Sequence, residues 1–201
     1  MTTRFKLAGA ALLVSGTVML SACTTAQTAP VSTATAEAAA ETTQDITKEE
    51  VLAAQQAWGK ALVKIATDYE AGGIDAAKAT AESVLDIAYG YNLGPVLFKP
   101  TLTTAPQTFR TTKDGVLAYF VGHDDDYPAD KGFALNDWRA FETENAAIFL
   151  DDDVAMSMGK VRLTDAEGNV TEVDKTWGYK RDADGNLRIV LHHSSLPYKP
   201  E

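Results

Sequence analysis

Apolar positions follow two regimes along this chain. From Thr47 to about Tyr91 they recur every three or four residues, and from Ala140 onward they run in long extended stretches. The first regime opens on Thr47-Lys48-Glu49-Glu50, a capping box with Thr at the N-cap and Glu three residues later. Behind it Val51, Trp58, Leu62, Ile65 and Tyr69 share one helical stripe. This spacing predicts a helix from Lys48 to about Ala71, ended by Gly72-Gly73, with its aromatic rings in the core. Asp75 caps a second helix, with Ala77, Ala81, Val84, Leu85 and Ala88 on its apolar face, fading at Gly90. Val96-Leu97-Phe98 reads as a short strand stopped by Pro100. Thr111 to about Val121 reads as a third, short helix, weakened by Gly115 and broken at Gly122.

The second regime predicts four strands: Ala140 to Leu150, Val154 to Leu163, Val170 to Arg181 and Leu187 to Ser194. Asp151-Asp152-Asp153 separates the first two. Asp165-Ala166-Glu167-Gly168-Asn169 and Asp182-Ala183-Asp184-Gly185-Asn186 separate the others. These last two turns are near copies, each offering Gly and Asn where positive φ is needed. Helices first and an antiparallel meander after them predict an α+β domain, with the helices on one face of a sheet long enough to twist and curl around them. Met156 and Met158 fall on one face of their strand, Val161 and Leu163 on the other. A sheet apolar on both faces is covered on both, which predicts a homodimer through the outer face.

Composition narrows the class. The 201 residues suffice for one domain with a real core, and 45% hydrophobic with 23% charged residues is ordinary for a globular protein. Net charge is −10, and no basic cluster follows residue 6. That argues against nucleic acid, which needs a positive footprint, and against charge-driven binding to an anionic membrane.

The N-terminal segment is read as targeting, not fold. Arg4 and Lys6 precede an apolar run, Leu7 to Leu20, too short and too rich in Gly, Ala and Ser to span a bilayer. It ends in Leu20-Ser21-Ala22-Cys23, which resembles the lipobox of bacterial lipoproteins. The resemblance implies a signal peptide over 1–22 and Cys23 as the lipidated mature N-terminus. Thr24, rather than Asp, after the cysteine implies by analogy the outer membrane, facing the periplasm. The competing reading is an ordinary secretory peptide with an incidental cysteine. Residues 23–45, mostly Thr and Ala, read as a flexible tether, and the domain as 46–201. With Cys23 the only cysteine, there is no intramolecular disulfide and no cysteine-based zinc site.

Candidate chemistry concentrates in the last strand, Leu187-Arg188-Ile189-Val190-Leu191-His192-His193-Ser194-Ser195-Leu196-Pro197. In a regular strand Arg188, Val190, His192 and Ser194 share one face, and Ile189, Leu191, His193 and Ser195 the other. A cation, an imidazole and a hydroxyl on one face suit a polar pocket; a frayed, solvated strand end is the alternative. His123-Asp124-Asp125-Asp126 looks like a metal loop but lacks the Gly and distant Glu of a calcium loop, and a solvated acidic turn fits it better. Three histidines, two of them facing opposite ways, are a poor zinc set without carboxylate help.

The last strand is similar to that of the calmodulin-dependent kinase II association domain, a nuclear-transport-factor-2-like cone. It resembles more closely the iota-class carbonic anhydrases, which share that fold. Val96-Leu97-Phe98-Lys99-Pro100-Thr101, Tyr119-Phe120-Val121-Gly122, Lys131-Gly132-Phe133-Ala134-Leu135 and Leu191-His192-His193-Ser194-Ser195-Leu196-Pro197 carry the resemblance. It implies interconversion of carbon dioxide and bicarbonate; some members of the family are described as active without metal and others are linked to metals, and the shortage of ligands here favours the metal-free reading. Bicarbonate would be held in the cone by the hydroxyls of Thr101, Tyr119 and Ser194, with Arg188 favouring the anion and His192 as base or shuttle. The alternative is a non-catalytic module of the same fold that binds a small anion or dimerises.

Overall fold

A computed structural model describes residues 45–200. The segment expected as a signal peptide and all but the last residue of the expected tether fall outside them, Cys23 included. Helix α1 (Lys48–Ala88) starts at the anticipated capping box. Thr47 N donates to Glu50 Oε2 at 2.8 Å and Glu50 N to Thr47 Oγ1 at 3.2 Å. The two expected helices are both present, run together across a break at Gly73, whose φ of 70° a side chain would resist. Strand β1 (Leu97–Lys99) follows, then α2 (Lys113–Val121), capped by Thr112 and closed by Gly122 at φ 61°. A 3₁₀ turn over Phe133–Leu135 precedes four strands, β2 (Trp138–Asp151), β3 (Val154–Asp165), β4 (Val170–Arg181) and β5 (Leu187–Ser195).

The two copied turns work alike. Asp165 Oδ1 accepts from the backbone N–H of Glu167 and Asn169, and Asp182 Oδ1 from those of Asp184 and Asn186. They pin an antiparallel β2-β3-β4-β5 ladder. The meander is not the whole sheet. Strand β1 adds to its edge in parallel with β5, giving the order β1-β5-β4-β3-β2. The register sets Leu97 opposite Leu191, Phe98 opposite His192 and Lys99 opposite His193. One row of residues therefore crosses all five strands on the inner face: Ile148, Ser157, Trp177, His192 and Phe98. Helices α1 and α2 cover this face, and Trp58, Leu62, Ile65, Leu85, Val116 and Phe120 bury against it. The next row, Phe149, Met156, Gly178, Leu191 and Leu97, points outward. Met156 and Met158 are 45% and 61% exposed while Val161 and Leu163 are buried, so the two faces divide as their spacing predicts.

Candidate active site

The site forms where β1 ends against β5. Pro100 stops β1, and the chain turns away with Thr101 first past the stop. Arg110 N donates to Phe98 O at 2.9 Å, returning the loop toward the sheet. Thr101 is thereby set beside the C-terminal part of β5, and its Oγ1 lies 2.7 Å from Ser194 Oγ. Ser194 is buried and Thr101 partly exposed, so the pair sits at the boundary between interior and solvent. Lys99 Nζ donates to the Ser194 carbonyl at 3.2 Å and fixes the strand there.

Tyr119 comes to the same place from α2. Its ring lies over Phe133, with centroids 5.5 Å apart, and edge-on to Phe98 at 6.1 Å. Its hydroxyl is buried without a hydrogen bond of normal geometry. Burial raises its pKa to about 12, opposed by the Leu102 backbone and Thr101, which lie near enough to act on it. A cleft of about 250 Å³ opens beside it, lined in part by Leu102, Asp130 and Phe133. Three hydroxyls from a loop, a helix and a strand thus meet against an aromatic wall.

Behind them lies a buried polar chain. Trp58 Nε1 donates to the Tyr89 hydroxyl at 3.0 Å, which is 2.9 Å from His192 Nδ1. His192 Nε2 contacts Lys175 Nζ on β4. The imidazole stacks on Phe98 with centroids 4.2 Å apart, as the β1–β5 register requires. The Lys175 ammonium position is 4.4 Å from the Trp58 ring centroid and 5.0 Å from that of Trp177. Burial pushes Lys175 well below the ordinary lysine range. Burial first, then Lys175 and His193, push His192 well below the ordinary histidine range.

The family of metal-independent carbonic anhydrases has a model that matches residues 49–196. The chain belongs to this family. A curated relative from Nostoc sp., a metal-independent carbonic anhydrase, is 60% identical over 154 residues, 77% of this chain and 75% of the relative. The crystal structure of a cyanobacterial iota-carbonic anhydrase complexed with bicarbonate is also 60% identical, with a TM-score of 0.77 over 78% of this chain and 95% of that one. A calmodulin-dependent kinase II association domain from Xanthomonas campestris is 22% identical, with a TM-score of 0.53 over 78% of this chain and 91% of that one. That likeness shows the cone fold alone.

Within this carbonic anhydrase the expected site residues do not all meet. Thr101, Tyr119 and Ser194 do. His192 lies behind them with both ring nitrogens engaged, so it is not the freely titrating imidazole anticipated. Arg188 is elsewhere. A bulge on β5 pairs Gly178 with Leu191 and Tyr179 with Ile189, so Val190 is the extra residue and strand parity reverses across it. Ile189, His192 and Ser194 consequently face in, and Arg188 points to the far end of the sheet. There its Nε donates to Asp182 at 2.6 Å, and its Nη1 to the carbonyls of Asp86 and Ile87 at the end of α1. His123, at φ 59°, sits in a turn where Asp124 Oδ1 accepts from Asp126 N. Among the described residues no group of three or more His, Cys, Asp or Glu side chains could hold a metal ion.

Lys175 was missed, although the alternation carries its signal. Val173, Lys175 and Trp177 occupy successive inward positions of β4, and a lysine between two core residues stands out.

Because Arg188 braces a turn, Arg188→Gln is expected to cost about 1–3 kcal/mol by leaving the Asp182 carboxylate unmatched. Carbonic anhydrase activity should stay close to wild type. Thermal melting and stopped-flow hydration check the two halves; collapse of activity in a folded variant would return Arg188 to the site.

Proposed function

We propose that this chain hydrates carbon dioxide and dehydrates bicarbonate at the Thr101–Tyr119–Ser194 cluster, by positioning and electrostatics. The observation that carries this reading is the convergence of the three hydroxyls, with 2.7 Å between Thr101 and Ser194 and a buried, unpartnered Tyr119 hydroxyl beside them. A hydroxyl both accepts and donates. Thr101 and Ser194 can accept from one water and hold it toward carbon, and Tyr119 has a proton to donate to the oxygen on which negative charge develops. Held in line with carbon dioxide, the water avoids the entropic cost of encounter, and the donors act where water is largely excluded. The rings of Phe98, Phe133 and Tyr119 supply an apolar wall for an uncharged substrate. The bicarbonate in the cyanobacterial relative's crystal structure supports bicarbonate as the ligand here.

The chain's surroundings follow from its sequence. Cys23 carries lipid after removal of residues 1–22, and residues 23–45 tether the domain to the outer membrane on its periplasmic side. The lipobox-like Leu20-Ser21-Ala22-Cys23 supports this. A second copy covers the outer sheet face, where Phe149, Met156 and Met158 form an exposed apolar patch next to a cleft of about 440 Å³ lined in part by His193 and Ser195.

Removing one preorganised donor typically lowers a rate about 10²–10³-fold. Ser194→Ala should show that loss in stopped-flow hydration with the melting temperature little changed. Ser195→Ala, on the outer face, should do much less; the reverse order would place the site on the wrong face. Labelled palmitate should enter the wild type and not Cys23→Ser, and equal labelling would rule out the anchor. Met158→Lys should halve the mass seen by light scattering, and a monomeric wild type at high micromolar concentration would dismiss the dimer.

A further inference from the structure

Three hydroxyls can position a water, but none of them is a base near neutrality. The hydration reaction releases a proton that the site must first accept. We propose that Lys175, paired with His192, is the group that takes this proton and then serves as counter-charge to the nascent bicarbonate. The proposal rests on the hydration reading above and adds the acceptor that reading lacks.

Lys175 stands directly opposite Ser194 in the β4–β5 ladder, where same-face side chains have Cβ atoms about 4.5–5.5 Å apart. It is 3% exposed. A buried lysine ordinarily has a carboxylate beside it, yet every described contact of this amine is with nitrogen or an aromatic face: His192 Nε2 and the indoles of Trp58 and Trp177. The groups around the pair are Tyr89 from the end of α1 and His193 from β5, with Lys99 on β1 acting on His193 in turn; Gly159, the partner of Lys175 on β3, brings none. With no anion among these groups and burial acting against charge on both members, the resting pair favours its neutral form.

One tautomer serves both charge states. With the imidazole proton on Nδ1, donating to the Tyr89 oxygen that also accepts from Trp58, the neutral lysine donates one N–H to His192 Nε2 and keeps its lone pair free. Proton uptake fills that lone pair, and the ammonium still donates to Nε2. Between these states the pair gains one proton. As the water oxygen bonds to carbon, one of its O–H bonds breaks, and the proton passes through the Ser194–Thr101 hydroxyls to the pair. The products are bicarbonate and a single buried positive charge softened by two indole faces. A neutral wall thus faces neutral carbon dioxide, and a positive one faces the anion. Bicarbonate departure with return of the proton to solvent resets the site.

The test is stopped-flow hydration against pH, with ¹³C NMR titration of bicarbonate, on the full chain in detergent. Wild-type rates should rise with pH through one titration as the pair loses its proton. Lys175→Met keeps the stem over the indoles but has no basic nitrogen. It should lose about 10²–10⁴ in rate, lose that titration and bind bicarbonate more weakly. Lys175→Arg keeps a charge that cannot be surrendered, and should be as slow while still binding bicarbonate. It carries the test alone if Lys175→Met does not fold. Either folded variant at wild-type rate, or Lys175→Met with the wild-type pH profile, overturns the proposal while leaving the hydration reading standing. A wild type without hydration overturns both.

Discussion

The site depends on three residues of parallel pairing. Strand β1 has only Leu97, Phe98 and Lys99 in register with β5. That register lays Phe98 over His192, and the stop at Pro100 then brings Thr101 to Ser194. Parallel pairing of so short a strand is weak on its own. It is supported here by neighbours on both sides: the Lys99–Ser194 hydrogen bond at 3.2 Å, the Arg110–Phe98 backbone bond at 2.9 Å and the Tyr89–Ile189 bridge at the end of α1. A slip of one residue would invert which face of β1 meets the core and separate the two hydroxyls.

The interior of the cone is accordingly polar in a confined way. Its core is aromatic and aliphatic, but one line of nitrogen and oxygen atoms runs from Trp58 through Tyr89 and His192 to Lys175, next to Ser194 on the sheet. Such a line is costly unless its members satisfy each other, and here each does so through the next. What it excludes is as important as what it contains. With no carboxylate in the line, the lysine has no permanent counter-ion, so its charge follows the charge state of whatever occupies the hydroxyl cluster.

Much of this was legible in the sequence because the physics involved is local. The capping box, the glycine break at Gly73 and the copied Asp-x-x-Gly-Asn turns act within a few residues, and the strands fall close to where alternation places them. The alternation from His192 to Ser195 also held. It failed at Arg188 because a bulge inserts Val190 and reverses parity, and nothing in Ile189-Val190-Leu191 marks which residue is extra. The pairing of β1 with β5 spans about ninety residues of sequence and leaves no periodic trace, so Thr101 reached the candidate site through family resemblance alone. Lys175 lay within reach of the pattern. Its inward position between Val173 and Trp177 is a violation of hydrophobic alternation, and such violations concentrate at functional sites.

The central claim is that the three hydroxyls hold the carbon-bearing ligand on the inner face of β5. A crystal structure of this chain grown with bicarbonate tests it most directly. The anion should lie within about 2.5–3.2 Å of Thr101 Oγ1, Ser194 Oγ and the Tyr119 hydroxyl. Bicarbonate found instead in the outer cleft beside His193 and Ser195, with the hydroxyl cluster untouched, would contradict the account.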